Sequence, residues 1–95
     1  MACIVISDNI QTKLAVKHNV TPSEVSECFA NRCGKSLRDT REEHASNPPT
    51  LWFISETNYG KKLKIVFIMK GGKIYIRTAY PPNEDEIRIY NKLGK

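Results

Sequence analysis

The sequence predicts a one-domain α+β fold: an N-terminal helix pair, an antiparallel β meander of three to four strands and a C-terminal helix. Three observations carry this. Residues 62–80, KLKIVFIMKGGKIYIRTAY, alternate apolar and cationic positions on either side of a Gly-Gly pair, as a β-hairpin does. VTPSEV at 20–25 has the form of a helix start, and PPNEDE at 81–86 breaks a strand and opens another helix. The 95 residues suit a single domain, 1–95, with a modest core.

Each element has its own signal. CIVIS, residues 3–7, is apolar and β-branched, and predicts a strand or extended lead-in. Ser7 or Asp8 caps a helix to about His18, with Ile10 and Leu14 on one face. Thr21 caps the next helix, Pro22 suits its first position and Glu24 completes a capping box. Val20 and Val25 have the spacing of a hydrophobic staple. Val25, Cys28 and Phe29 form its buried stripe, and Gly34 is the expected left-handed stop. RDTREEHASNPP, residues 38–49, reads as a polar loop, with a short strand at Ser36–Asp39. TLWFISET follows as a strand and NYG as a turn. After the hairpin, Asn83 caps the last helix, with Glu84, Asp85 and Glu86 at its positive end. Ile87 and Tyr90 face inward.

If Gly71-Gly72 is a two-residue turn, Lys70 faces Lys73 and the hairpin's two faces follow from alternation. Leu63, Ile65, Phe67, Met69, Ile74, Ile76, Thr78 and Tyr80 make the core side. Lys64, Val66, Ile68, Lys70, Lys73, Tyr75, Arg77 and Ala79 make the other. Arg77 then sits opposite Val66 and diagonal to Lys64, and Tyr75 opposite Ile68. This second face is half apolar, so it either packs under a helix or forms an aromatic floor with a cationic rim.

Charge points the same way. Residues 1–50 hold six Lys/Arg and six Asp/Glu, whereas residues 51–95 hold nine and four. The net charge of +5 therefore lies in the second half, and residues 58–80 have six cations and no anion. Such a stripe suits a polyanion. Aromatic residues among cations suit single-stranded RNA, whose bases stack while its phosphates pair. Lys61, Lys62, Lys70, Lys73, Tyr75 and Arg41 are the candidate nucleic-acid contacts.

The three cysteines form no CxxC pair. Together with the lack of a signal peptide they predict a reducing, cytoplasmic setting. No apolar run reaches the roughly 18 residues of a membrane span, so no membrane association is expected. No metal site and no cofactor are expected either. The carboxylates are scattered, and no glycine loop cradles a phosphate.

Several stretches resemble the BrnT toxins of the RelE-like superfamily, small bacterial proteins that cleave RNA and are neutralised by an antitoxin. KHNVTPSEVSECF resembles that family's lysine-histidine-glycine-valine run and acidic helix. Asp39, Arg41 and His44 resemble its aspartate–proline–arginine–histidine loop. Gly60, Lys61, Leu63, Ile65 and Val66 resemble its glycine–arginine turn and apolar strand, and Thr78-Ala79 its serine-alanine pair. Asn19 stands where the family has glycine, and Tyr80 where an arginine would fall. The resemblance implies a BrnT/RelE-like fold and a metal-independent ribonuclease of a type II toxin–antitoxin system, with RNA and a small antitoxin as partners. Similar small proteins are also named ADP-ribosyl-(dinitrogen reductase) hydrolase. Those hydrolases are large and all-helical with a carboxylate-built dimetal site, which this chain does not offer.

RNA cleavage needs a 2′-hydroxyl deprotonated, phosphorane charge stabilised and a leaving oxygen protonated. Arg77, Lys64 and Lys61 are the candidate stabilisers, and His44, Glu43, Tyr80 and His18 the candidate proton movers. His18, at a helix end, is expected as a dipole-favoured cation, and Tyr80, on the core register, as a packing residue. A second hypothesis is a non-catalytic domain that binds nucleic acid or protein through the same face.

Overall fold

The computed structural model describes residues 3–32, 34–38 and 50–94. Asp39, Arg41, Glu43 and His44 lie outside the described residues. The elements are β1 (Cys3–Val5), α1 (Asp8–Lys13), α2 (Pro22–Ala30), β2 (Leu37–Arg38), β3 (Thr50–Glu56), β4 (Lys62–Lys70), β5 (Lys73–Tyr80) and α3 (Glu84–Leu93). α1 runs on into a π-helical turn, Leu14–His18, closed by left-handed Asn19 at φ 54°. The predicted caps are present. Thr21 and Glu24 bond reciprocally at α2, as do Asn83 and Glu86 at α3.

The strands form one five-stranded sheet in the order β1-β5-β4-β3-β2. This corrects the expected three or four strands. The meander β2 to β5 is antiparallel, but β1 returns to pair parallel with β5, Cys3 to Lys73 through Val5 to Tyr75. The β-branched lead-in thus supplies an edge strand.

Helices cover both faces. On one, Phe29 of α2 meets Phe53 and Phe67 edge-on at 4.8 and 5.5 Å, with Leu14, Val20, Val25 and Cys28 buried around them. On the other, Tyr90 of α3 lies 5.8 Å from Trp52. Trp52 and Phe53 point to opposite faces because neighbouring strand residues do. Gly34 is not the expected left-handed stop. It has no positive φ, and a Cβ there would meet Gly94 O at 2.5 Å and Tyr90 OH at 2.6 Å. The close approach of α3's last turn is what calls for glycine. Cys28 sits fully buried, and its thiol is pushed up to about 12 by burial and by Glu24, Glu27 and Glu56. It stays protonated at neutral pH and is no nucleophile.

The hairpin pairs as alternation predicts from Lys70–Lys73 to Phe67–Ile76, and both Phe67 and Ile76 are buried. There the register shifts: Val66 pairs with Thr78, Ile65 with Ala79 and Lys64 with Tyr80. Arg77 is the extra residue of a β-bulge, in which two residues on one strand oppose one on its partner. Three expectations change as a result. Arg77 does not sit opposite Val66. Ala79 moves to the α2 face beside Ile65, and both are fully buried. Thr78 and Tyr80 move from the core side to the α3 face.

Candidate nucleic-acid interface

α3 covers only part of its face. Toward the Gly71-Gly72 turn, the same side of β4 and β5 is an open depression of about 670 Å³ lined by Ile68, Lys70, Gly71, Lys73, Tyr75 and Arg77. Cross-strand register builds it. Ile68 faces Tyr75 and Lys70 faces Lys73, while Arg77 lies two residues beyond Tyr75. Ile68 is half-buried and Tyr75 is 37% exposed, so together they form an apolar and aromatic floor. Lys70, Lys73 and Arg77 are exposed around it. None of these three side chains has a hydrogen bond or ion pair to another described residue. Like charges facing each other across a hairpin repel, so the Lys70–Lys73 pair presents uncompensated positive charge.

The other predicted cations lie elsewhere. β4 spans nine residues, so Lys62 lies about 27 Å from Lys70 at the usual rise per residue. Lys61 is engaged locally: its Nζ donates to Asn19 O at 2.8 Å and pairs with Glu24 at 3.3 Å. Lys62 is exposed and lines a different cavity, beside α3.

Lys64 corrects the rim expected for the open face. It lies beneath α3 with 2% of its surface exposed. Its Nζ pairs with Glu86 Oε2 at 2.5 Å and stands 4.5 Å over the Trp52 ring and 5.6 Å over Tyr80. Tyr80 OH donates to the same Glu86 oxygen at 2.9 Å, while Glu86 Oε1 accepts from the Asn83 amide at 3.0 Å. Burial pushes the Glu86 carboxyl up, but the bonds from Lys64, Asn83 and Tyr80 outweigh it and hold it below the usual range. Half-buried His18 stacks at a tilt on Tyr80 with ring centroids 5.6 Å apart. This cluster fastens α3 to the sheet, and Lys64 does not line the basic depression. Arg77, Tyr75, Lys70 and Lys73 are therefore brought together, Lys61, Lys62 and Lys64 are not, and Ile68 joins as the floor. Among the described residues no group of three or more His, Cys, Asp or Glu side chains is placed to hold a metal ion. Nor is any of their helices long and apolar enough to cross a membrane.

A small α+β protein with helices on both sheet faces and a bare cationic end is the class these features define. No family model matches the chain, and no curated protein matches it. Among solved structures, it is similar to the 1.1 Å crystal structure of BrnT, a ribonuclease toxin of Brucella abortus. The TM-score is 0.65 and the identity 14%, over 88% of this chain and 100% of that one. The fold is BrnT-like.

Proposed function

We propose that this chain is a toxin-like protein that cleaves RNA without a metal ion and is held inactive by a small antitoxin, as one half of a type II pair in the bacterial cytoplasm. The observation that carries the reading is the open floor of Tyr75 and Ile68 rimmed by Lys70, Lys73 and Arg77, on a fold similar to that of a ribonuclease toxin. Single-stranded RNA fits such a surface, because its bases are free to stack and its phosphates to pair. Arg77 has the role of contacting the scissile phosphate. Its guanidinium offers two donors to one phosphate in a planar fork. His44 and Glu43 move the protons, one from the attacking 2′-hydroxyl and one to the leaving 5′-oxygen. Arg41 joins the phosphate contacts. Lys64, paired with Glu86 under α3, drops out of the set that stabilises the phosphorane.

The test is induced expression in bacteria, following growth and bulk RNA integrity. Wild type should arrest growth and fragment RNA. Arg77→Ala should slow cleavage by about 10²–10³-fold, the scale of one lost oxyanion donor, while binding weakens far less. Intact RNA in the absence of antitoxin, across pH and with chelator or added metal, would overturn the nuclease reading. A non-catalytic RNA-binding domain on the same face would then stand. The burial of Lys64 favours that second reading, since it leaves Arg77 as the one cation of the pair free to reach a phosphate.

A further inference from the structure

A second cavity, of about 300 Å³, lies where α3 crosses the end of β3. It sits at the other end of β4 from the basic depression, with Lys62 in its wall. Its size is at the small end for ligand sites, which run roughly from 300 to 1,000 Å³. The inner wall is mixed: Ile54 and Ile87 are half-buried and buried Tyr90 adds a ring, beside the buried hydroxyl residues Ser55 and Thr57. The mouth is polar and holds both signs of charge. Glu56 and Lys62 are direct cross-strand partners, which puts their Cβ atoms about 5 Å apart. Both are exposed, yet they do not close into an ion pair with each other. Neither side chain has a hydrogen bond or ion pair to any described residue, and the same holds for the exposed Asn91 amide across the opening.

An unengaged carboxylate, an unengaged ammonium and an amide around an aliphatic floor complement one kind of small molecule. We propose that this cavity binds a free aliphatic α-amino acid as its zwitterion. Lys62 takes the ligand's carboxylate and Glu56 its ammonium. Asn91 serves either group, and the side chain rests on Ile54 and Ile87. The charges need no new burial, because the mouth is open to water while the floor removes apolar surface from it. A peptide terminus offers only one of the two charges, and a nucleotide offers an anion without an ammonium.

The chain carries its own reporter. Its one tryptophan, Trp52, lies 5.8 Å from the Tyr90 ring, so filling the cavity alters Trp52 emission. The purified full chain is titrated with L-leucine, by fluorescence and by calorimetry. A saturable change is expected, with N-acetyl-L-leucine and L-leucinamide weaker by at least about tenfold each, since each lacks one charged hydrogen-bonding group. Glu56→Gln and Lys62→Met should weaken L-leucine to the same extent, while circular dichroism and the thermal midpoint without ligand stay as in wild type. L-Glutamate should bind less well than L-leucine. No saturable response at millimolar L-leucine, binding unchanged in folded Glu56→Gln, or preference for adenosine monophosphate would each overturn the proposal. This inference does not rest on the RNA reading, and RNA binding measured on the same samples separates failure of one from failure of the other.

Discussion

Lys64 shows how much one residue's meaning depends on what lies over it. An ammonium so buried needs a charged partner, and Glu86, itself bonded by the Tyr80 hydroxyl, serves it together with the ring faces of Trp52 and Tyr80. Removing one member of such a pair strands the other, at a cost of about 3–5 kcal/mol. Glu86→Ala is therefore expected to lower unfolding free energy on that scale in urea denaturation. Lys64→Met with Glu86→Leu should recover much of the loss. The pair also sets a pH dependence. The folded-state pKa of Glu86 is depressed, so its contribution is fully present above the unfolded value, about 4.3. It is lost as pH falls through the lower folded value. Wild type should lose stability steeply in that acid window, and Glu86→Gln should flatten the curve there. Part of this site was legible in advance: the sequence predicts Asn83 as the cap of α3 and Glu86 among the carboxylates at its positive end. What alternation along β4 did not carry was the docking of that helix over Lys64, because a lysine in a strand reads the same whether water or a carboxylate meets it.

At the level of elements, the hairpin tip and the bulge behave differently. Gly71 and Gly72 have φ of 59° and 77°, and a Cβ at either would meet nothing within 4 Å. The demand is purely conformational. Gly72→Ala should cost about 1–2 kcal/mol, the penalty of a left-handed L-residue, as read from the shift in denaturation midpoint. The turn was legible because a Gly-Gly pair takes positive φ at both central positions at no steric cost. The bulge was not. The polar pair Arg77-Thr78 interrupts the alternation, but threonine suits either face of a strand, and the choice is made by the far ends: Ala79 packs beside Ile65 on the α2 face, and Tyr80 meets Glu86 on the other. Since Arg77 is the extra residue, deleting it should leave Ile65–Ala79 and Lys64–Tyr80 paired, as cross-strand NMR cross-peaks would show, while RNA affinity falls. Disappearance of those cross-peaks would mean that the bulge holds the register. The parallel pairing of β1 was equally hidden, because three β-branched or apolar residues name a strand but not its neighbour.

Across the whole molecule, the surplus of positive charge was plain in the composition, but its grouping was not. Six cations on one hairpin and its approach divide into an open trio near the turn and three others held or placed elsewhere. The salt dependence of RNA binding should follow the trio. Replacing Lys70, Lys73 and Arg77 with Ala should reduce affinity and flatten its dependence on salt by about 0.7 in log–log slope for each phosphate left unneutralised. Lys61→Ala, already engaged with Asn19 and Glu24, should change the slope less. A slope unaltered in the triple variant would move the RNA site away from the hairpin turn. The edge pairing of the sheet has a further consequence, in the order of synthesis. Of the five strands β1 is made first, and its one neighbour in the sheet, β5, is made last. At usual elongation rates β1 waits roughly 4–14 s for residues 73–75 to follow it out of the ribosome, and pairing so distant in sequence is slow to form. Tyr75 and Arg77 belong to that same final strand. A nascent or prematurely terminated chain that stops before β5 lacks both the completed sheet and Lys73, Tyr75 and Arg77 of the basic depression, so sheet and depression are finished by the same last strand.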